Sequence, residues 1–152
     1  MKRTLCFSFR GNIAERVLIK MSIPGVDKVY LPSGEKSIRA FVDGLELECY
    51  GRVLGLGMYG GPDKESLRVE LVATSRFRNQ GEVDERVVLP GFLKESPGLK
   101  ETNAMGNSYC NLVSYLLVRR LESEAERIGF NFVHIPKRFS ETEAARILSE
   151  QL

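Results

Sequence analysis

The stretch TNAMGNSYCNLVSYLLVRRLESEAERIGFNFVHIP, residues 102–136, decides how the chain is read. Turn formers Asn103, Gly106, Asn107 and Ser108 lead into Cys110. From about Asn111 the residues are apolar on nearly every face, which predicts a helix whose first half is buried. Beyond Arg119 only Leu121, Ala125 and Ile128 remain as a one-sided stripe, so the helix is expected to surface and to stop before Gly129. Phe130–Ile135 reads as a strand that Pro136 limits. It carries His134, the one histidine of the chain. A strand–helix–strand unit of this kind is expected to join parallel strands through a right-handed crossover. The helix N-terminus and the end of the next strand then share the carboxyl edge of the sheet, where open α/β sheets take their ligands.

That placement suggests chemistry. Unpaired N–H groups at a helix start carry partial positive charge, and with a neighbouring imidazolium they are expected to lower the pKa of the Cys110 thiol. The same N–H groups could hold an oxyanion, with His134 as the base of a nucleophile–base pair. The residues equally fit a plainer account, in which Cys110 is a small buried hydrophobe and His134 a satisfied core residue.

The remaining segments point to alternating layers. Arg3–Phe9 is expected to be a strand with Leu5, Phe7 and Phe9 on one face. Asn12 caps a helix to about Met21, Val29–Leu31 and Arg52–Leu56 are strands, and Glu35–Val42 is a helix. Ser66–Thr74 is strand-like and contains Glu70, Val87–Leu89 is a short strand, and Pro90–Lys100 is loop. Ser140-Glu-Thr-Glu forms a capping box that opens a closing helix to about Gln151. The expected fold class is α/β, a three-layer α/β/α arrangement around a mixed, largely parallel central sheet, with residues 1–152 as a single domain.

Composition narrows the function classes. The chain has 43% hydrophobic and 28% charged residues and a net charge of +2 without a dense basic run, so no nucleic-acid partner is expected. It has no apolar run of membrane-spanning length, and Arg10 interrupts the apolar stretch at the N-terminus. Cys6, Cys49 and Cys110 are an odd set, read as free thiols of a cytoplasmic protein. One histidine and scattered cysteines give no metal-ligand spacing, so no metal and no cofactor is expected.

Two segments resemble a known family. Ala104-Met-Gly-Asn-Ser-Tyr-Cys-Asn, an apolar helix, and then Phe132-Val-His-Ile-Pro look like the nucleophile and histidine segments of the type I pyroglutamyl (pyrrolidone-carboxylate) peptidases. Gly106, Cys110 and Asn111 fall in register in the first segment, and Phe132, His134 and Pro136 in the second. The resemblance implies a cysteine peptidase or amidase that removes an N-terminal pyroglutamyl residue from a small peptide or amide substrate. It also raises the expectation of a homo-oligomer.

Val69-Glu-Leu-Val-Ala resembles the family segment that supplies the third catalytic residue, which makes Glu70 the carboxylate that orients His134. Its plainer alternative is a glutamate on the solvated face of a strand. By the same resemblance Phe7, Phe9 and Asn12 match the pyroglutamate pocket, although the prolines and one glycine of that loop are missing here. Arg76 matches an arginine near the substrate carbonyl once a position is deleted, with Arg78 the other arginine of that segment. Family members run about a third longer by domain-size reasoning, and the shortening falls mostly between Glu82 and Lys100. That loss motivates the alternatives of a binding or assembly module that keeps only the fold, or an amidase with another small acyl substrate.

Overall fold

The computed structural model describes residues 2–78 and 85–152. In chain order the elements are β1 (Arg3–Phe9), α1 (Ile13–Lys20), β2 (Val26–Leu31), α2 (Glu35–Gly44), a 3₁₀ turn at Leu47–Cys49 and β3 (Tyr50–Tyr59). Then come β4 (Leu67–Glu70), β5 (Val72–Thr74), β6 (Arg86–Val88), β7 (Leu99–Thr102), α3 (Tyr109–Leu121), β8 (Gly129–Pro136) and α4 (Glu141–Ser149). Six strands form one sheet in the order β2-β1-β3-β8-β4-β7, and β5 and β6 make a small antiparallel pair. β2, β1, β3 and β8 run parallel, while β4 pairs antiparallel with β8 and β7 parallel with β4. The sheet is therefore mixed and mostly parallel. α2 and α3 pack on one face with Leu5, Phe7, Phe130 and Phe132, and α1 and α4 on the other with Cys6, Leu54, Leu56 and Val133. This is the expected three-layer α/β/α arrangement.

Both faces are covered, so the central strands read as apolar runs rather than as a clean alternation. β3 shows how sequence sets the layers. In Leu54-Gly55-Leu56-Gly57 the leucines fill the α1/α4 face and the glycines leave space on the α3 face. A Cβ at Gly55 would come 2.5 Å from the Phe132 ring and 2.6 Å from the Phe7 ring. Glycine there admits two fully buried phenylalanines, and each such ring contributes about 1.5–3 kcal/mol by leaving water.

The helix starts follow local chemistry. The Asn12 side chain accepts from the Ala14 N–H at 2.9 Å and Ser140 from Glu143 at 3.2 Å, each satisfying a donor that the first helical turn leaves open.

Four expectations are corrected. α3 ends at Leu121 rather than near Gly129. After Leu121 the residues are polar and mostly exposed, the Ser123 hydroxyl donates back to the Arg120 carbonyl at 2.7 Å, and Ile128 enters the core from a loop. Ser66–Thr74 is not continuous: the chain leaves the large sheet at Leu71, whose N–H donates to Thr102 and whose carbonyl accepts from Leu89. The last two residues of the expected loop Pro90–Lys100 open the edge strand β7. Finally, α3 joins β7 to β8, and those strands are antiparallel with β4 between them. No parallel crossover exists there. The start of α3 reaches the carboxyl edge by another route, through the 103–108 segment, which lifts the chain from the end of β7 to the level of Gly57. Among the described residues no helix is long and apolar enough to cross a membrane.

Candidate active site

Three elements meet on the α3 face near the carboxyl ends of β3 and β8. From β8 comes His134, buried at 5% exposure, its ring set edge-on to Phe132 with centroids 5.2 Å apart. From β4 comes Glu70, fully buried, with Oε1 2.7 Å from Nδ1 of His134. Glu70 stands opposite Phe132 and Arg68 opposite His134 in the antiparallel register, so both β4 side chains share the face of the imidazole. An ionised Glu70 accepts the Nδ1 proton and leaves Nε2 with its lone pair free.

From α3 comes Cys110, in the first turn of the helix. Its sulfur is turned inward: a Cβ built on Gly57 would lie 2.7 Å from Sγ. Gly57 is the register partner of His134 across β3 and β8, and neighbouring strands are roughly 4.8 Å apart. The sulfur therefore lies over β3, the strand next to that of the histidine, at the position where only a hydrogen fits. Asn111 fixes this helix start. Its Oδ1 accepts from the Thr74 N–H at 2.8 Å, and its Nδ2 donates to the carbonyls of Thr74 and Arg76 at 2.9 and 2.7 Å. The first helical N–H groups have no carbonyl four residues back, and Leu112 is the first to reach one, that of Ser108.

The resting electrostatics run against the sequence expectation. Burial pushes the Cys110 thiol up to about 12, and the Glu70 charge adds to the shift. Its own backbone N–H pulls the other way as the smallest effect. The residue keeps some exposed surface, but the inward-facing sulfur is what feels the apolar wall of Phe132. The resting nucleophile candidate is thus a neutral thiol, not a preformed thiolate. Because alkylation follows the thiolate fraction, iodoacetamide should modify Cys110 faster at each step of rising pH, with no plateau near neutrality. Peptide mapping of the Cys110 fragment across pH measures this, and a plateau reached below pH 8 would contradict it.

The remaining sequence candidates separate. Phe7 is fully buried among Phe41, Phe130 and Phe132, a core position rather than a pocket wall. Asn12 has its Oδ1 engaged in capping α1. Phe9 lies at the carboxyl end of β1 with its ring 6.3 Å from that of Tyr109, next to Cys110. Arg76 is tied to α3 through its carbonyl, and its Nε is buried without a hydrogen-bond partner among the described residues. Arg78 is engaged elsewhere, with Nη2 donating to the Tyr109 hydroxyl at 2.5 Å and the guanidinium over the Phe77 and Tyr109 rings. The start of the shortened segment, residues 82–84, lies outside the described residues.

Sequence reasoning missed Arg68, Gly57 and the clamp made by Asn111. Arg68 stacks on the Tyr59 ring with its Cζ 4.2 Å from the centroid, and its Nε is 3.9 Å from Glu70 Oε1. The signal was the spacing: Arg68 and Glu70 are two apart on a strand and share a face. Beside this site, a cleft of about 240 Å³ is lined by Tyr59, Gly61, Lys64, Pro136 and Arg138. A larger one, about 540 Å³, lies away from Cys110 by Val69, Leu93, Pro97 and Leu99. Among the described residues no cluster of three or more His, Cys, Asp or Glu could hold a metal ion.

No family model and no curated protein matches the sequence. Solved structures do match. The pyrrolidone carboxyl peptidase from Thermococcus litoralis superposes with a TM-score of 0.75 at 14% identity, covering 98% of this chain and 90% of that one. The enzyme of the same name from Thermus thermophilus gives 0.68 at 22% identity, covering 98% and 100%. Pyroglutamyl peptidase I from Bacillus amyloliquefaciens gives 0.70 at 14% identity, covering 98% and 94%. The chain has the fold of these peptidases over nearly its whole length.

Proposed function

We propose that this chain, a 152-residue version of the pyrrolidone carboxyl peptidase fold, is a cysteine peptidase that releases an N-terminal pyroglutamyl residue through Cys110, His134 and Glu70. The observation that carries the reading is the buried 2.7 Å contact of Glu70 with Nδ1 of His134, with the Cys110 sulfur over the register partner of that histidine. A carboxylate leaves the surface of a protein at considerable cost, and orienting a base is a reason to keep one there.

The steps follow from the groups present. On attack the thiol proton passes from Sγ to Nε2 of His134 as the sulfur adds to the acyl carbonyl. The carbonyl oxygen becomes an oxyanion beside the free N–H groups at the start of α3 and the Arg76 guanidinium. As the tetrahedral species collapses, the imidazolium gives its proton to the leaving amine and a thioester remains on Cys110. Neutral His134 then takes a proton from water as the water oxygen attacks the thioester. On collapse the imidazolium returns a proton to the departing sulfur, which frees pyroglutamate and restores the thiol and the neutral histidine. Because the resting thiol is pushed up to about 12, His134 acts as a general base during attack. Phe9 and Tyr109 form the apolar side of the acyl pocket in this account. The protein works as one domain on small peptides or amides in the cytoplasm, as a homo-oligomer.

The raised thiol also favours a second reading, a non-catalytic relative that binds a partner through the same face. Release of a chromophore from a pyroglutamyl amide by the wild-type protein decides between them. Turnover is the expected result, and a protein inert toward pyroglutamyl and other small acyl amides would leave the binding module.

A further inference from the structure

Arg68 carries more than the peptidase reading asks of it. Its side chain is 12% exposed, and three contacts fix it: Nη2 donates to the Thr102 hydroxyl at 2.9 Å, the guanidinium lies on the Tyr59 ring, and Nε stands 3.9 Å from Glu70 Oε1. That Nε and the second oxygen of Glu70 are both buried without a hydrogen-bond partner among the described residues. The arginine is directly opposite His134 in the β4–β8 pairing, one strand away, whereas Cys110 lies beyond His134 over β3.

We propose that Arg68 is a positioning residue: its fixed positive charge, acting beside and through Glu70, makes the His134 imidazolium a stronger acid. The inference rests on the catalytic reading above and extends it to the proton-transfer step. Among the described residues, the titratable and charged groups around His134 are Glu70 and Arg68 from β4 and Tyr59 from β3, with Cys110 of α3 over the facing Gly57. Of these the carboxylate favours the protonated ring and the guanidinium opposes it. When the proton moves from Sγ to Nε2 as the sulfur adds, an imidazolium and an oxyanion form while Glu70 and Arg68 keep their charges. Without Arg68 the ion pair of Glu70 and imidazolium would hold that proton too firmly. With Arg68 the proton is released more readily to a departing amine, the transfer on which acylation ends.

The single histidine makes the test direct, because one imidazole gives one set of titrating resonances. We would follow the ring by NMR against pH in Cys110→Ala protein, which removes the coupled thiol, and compare it with the same protein carrying R68Q or R68K. Loss of the charge in R68Q is expected to raise the titration midpoint by about one pH unit, a roughly tenfold tighter hold on the proton. R68K keeps a charge and should move it by less than half as much. An unchanged or lowered midpoint in R68Q overturns the proposal. R68M is the second neutral variant, and either one decides if circular dichroism shows it folded. The titration needs no turnover. A flat result in a protein whose wild type hydrolyses pyroglutamyl amides overturns the role of Arg68 alone. A raised midpoint in a protein that never turns over keeps the electrostatics and removes the peptidase.

Discussion

Replacing Cys110 by alanine is expected to lower kcat/KM for a pyroglutamyl amide by at least about 10⁴-fold, to the background of the assay, because no covalent intermediate can form. The substitution removes one sulfur from the space over Gly57 and leaves the contact of Glu70 with His134 intact. Stability should therefore change little, within about 1.5 kcal/mol, less than the cost of truncating a large core side chain. That separation makes the variant informative, since lost activity with an unchanged melting temperature cannot be blamed on unfolding. His134→Ala should abolish activity equally. It also strands a buried carboxylate, so its melting temperature should fall. Steady-state kinetics paired with thermal melts measures both, and residual activity near wild type in either variant would remove the nucleophile–base pair.

Glu70→Gln should have the next largest effect, a loss of about 10³–10⁴-fold in kcat with a smaller change in KM. A glutamine fits the same space but can donate to Nδ1 of His134 as well as accept from it. Donation fixes the tautomer with its proton on Nε2, where it cannot accept the thiol proton, and the imidazolium loses its counter-charge. Arg68, 3.9 Å from Glu70 Oε1, is left with no carboxylate, so stability is also expected to fall by about 1–3 kcal/mol. Glu70→Asp keeps the charge but shortens the reach, and it should recover part of the rate. If Glu70→Gln retained full kcat, Glu70 would be structural only.

The fold was legible where residues carry local rules. Asn12 and Ser140 mark helix starts because their side chains bond N–H groups two and three residues on. The apolar start of α3 announces its burial, whereas Phe7, matched by resemblance to the substrate pocket, lies in the core. What failed was long-range. Nothing local in Thr102–Pro136 says that β4 inserts between β7 and β8, which made a parallel crossover seem natural. Leu71 looks like any strand residue, and only its bonds to Thr102 and Leu89 show that the chain changes sheets there. The shared thiol and histidine segments gave Cys110 and His134, and a glutamate flanked by Val69 and Leu71 gave Glu70. The raised thiol pKa was not legible, because a helix start can be seen in sequence and the wall that desolvates the sulfur cannot. Arg68 was passed over for a similar reason. Alternation of Leu67 and Val69 with Arg68 and Glu70 looks like a half-solvated strand, yet Glu70 is fully buried and the Arg68 side chain only 12% exposed.

The most direct test of the mechanism is to catch the acyl group. Wild-type protein mixed with a pyroglutamyl ester or anilide, quenched in acid and digested, is read by mass spectrometry for every cysteine peptide. The account predicts a pyroglutamyl thioester on Cys110 that forms within the first turnover and decays as substrate is exhausted. Continued turnover with no acyl group on Cys110, or with the label on Cys49 instead, would contradict it.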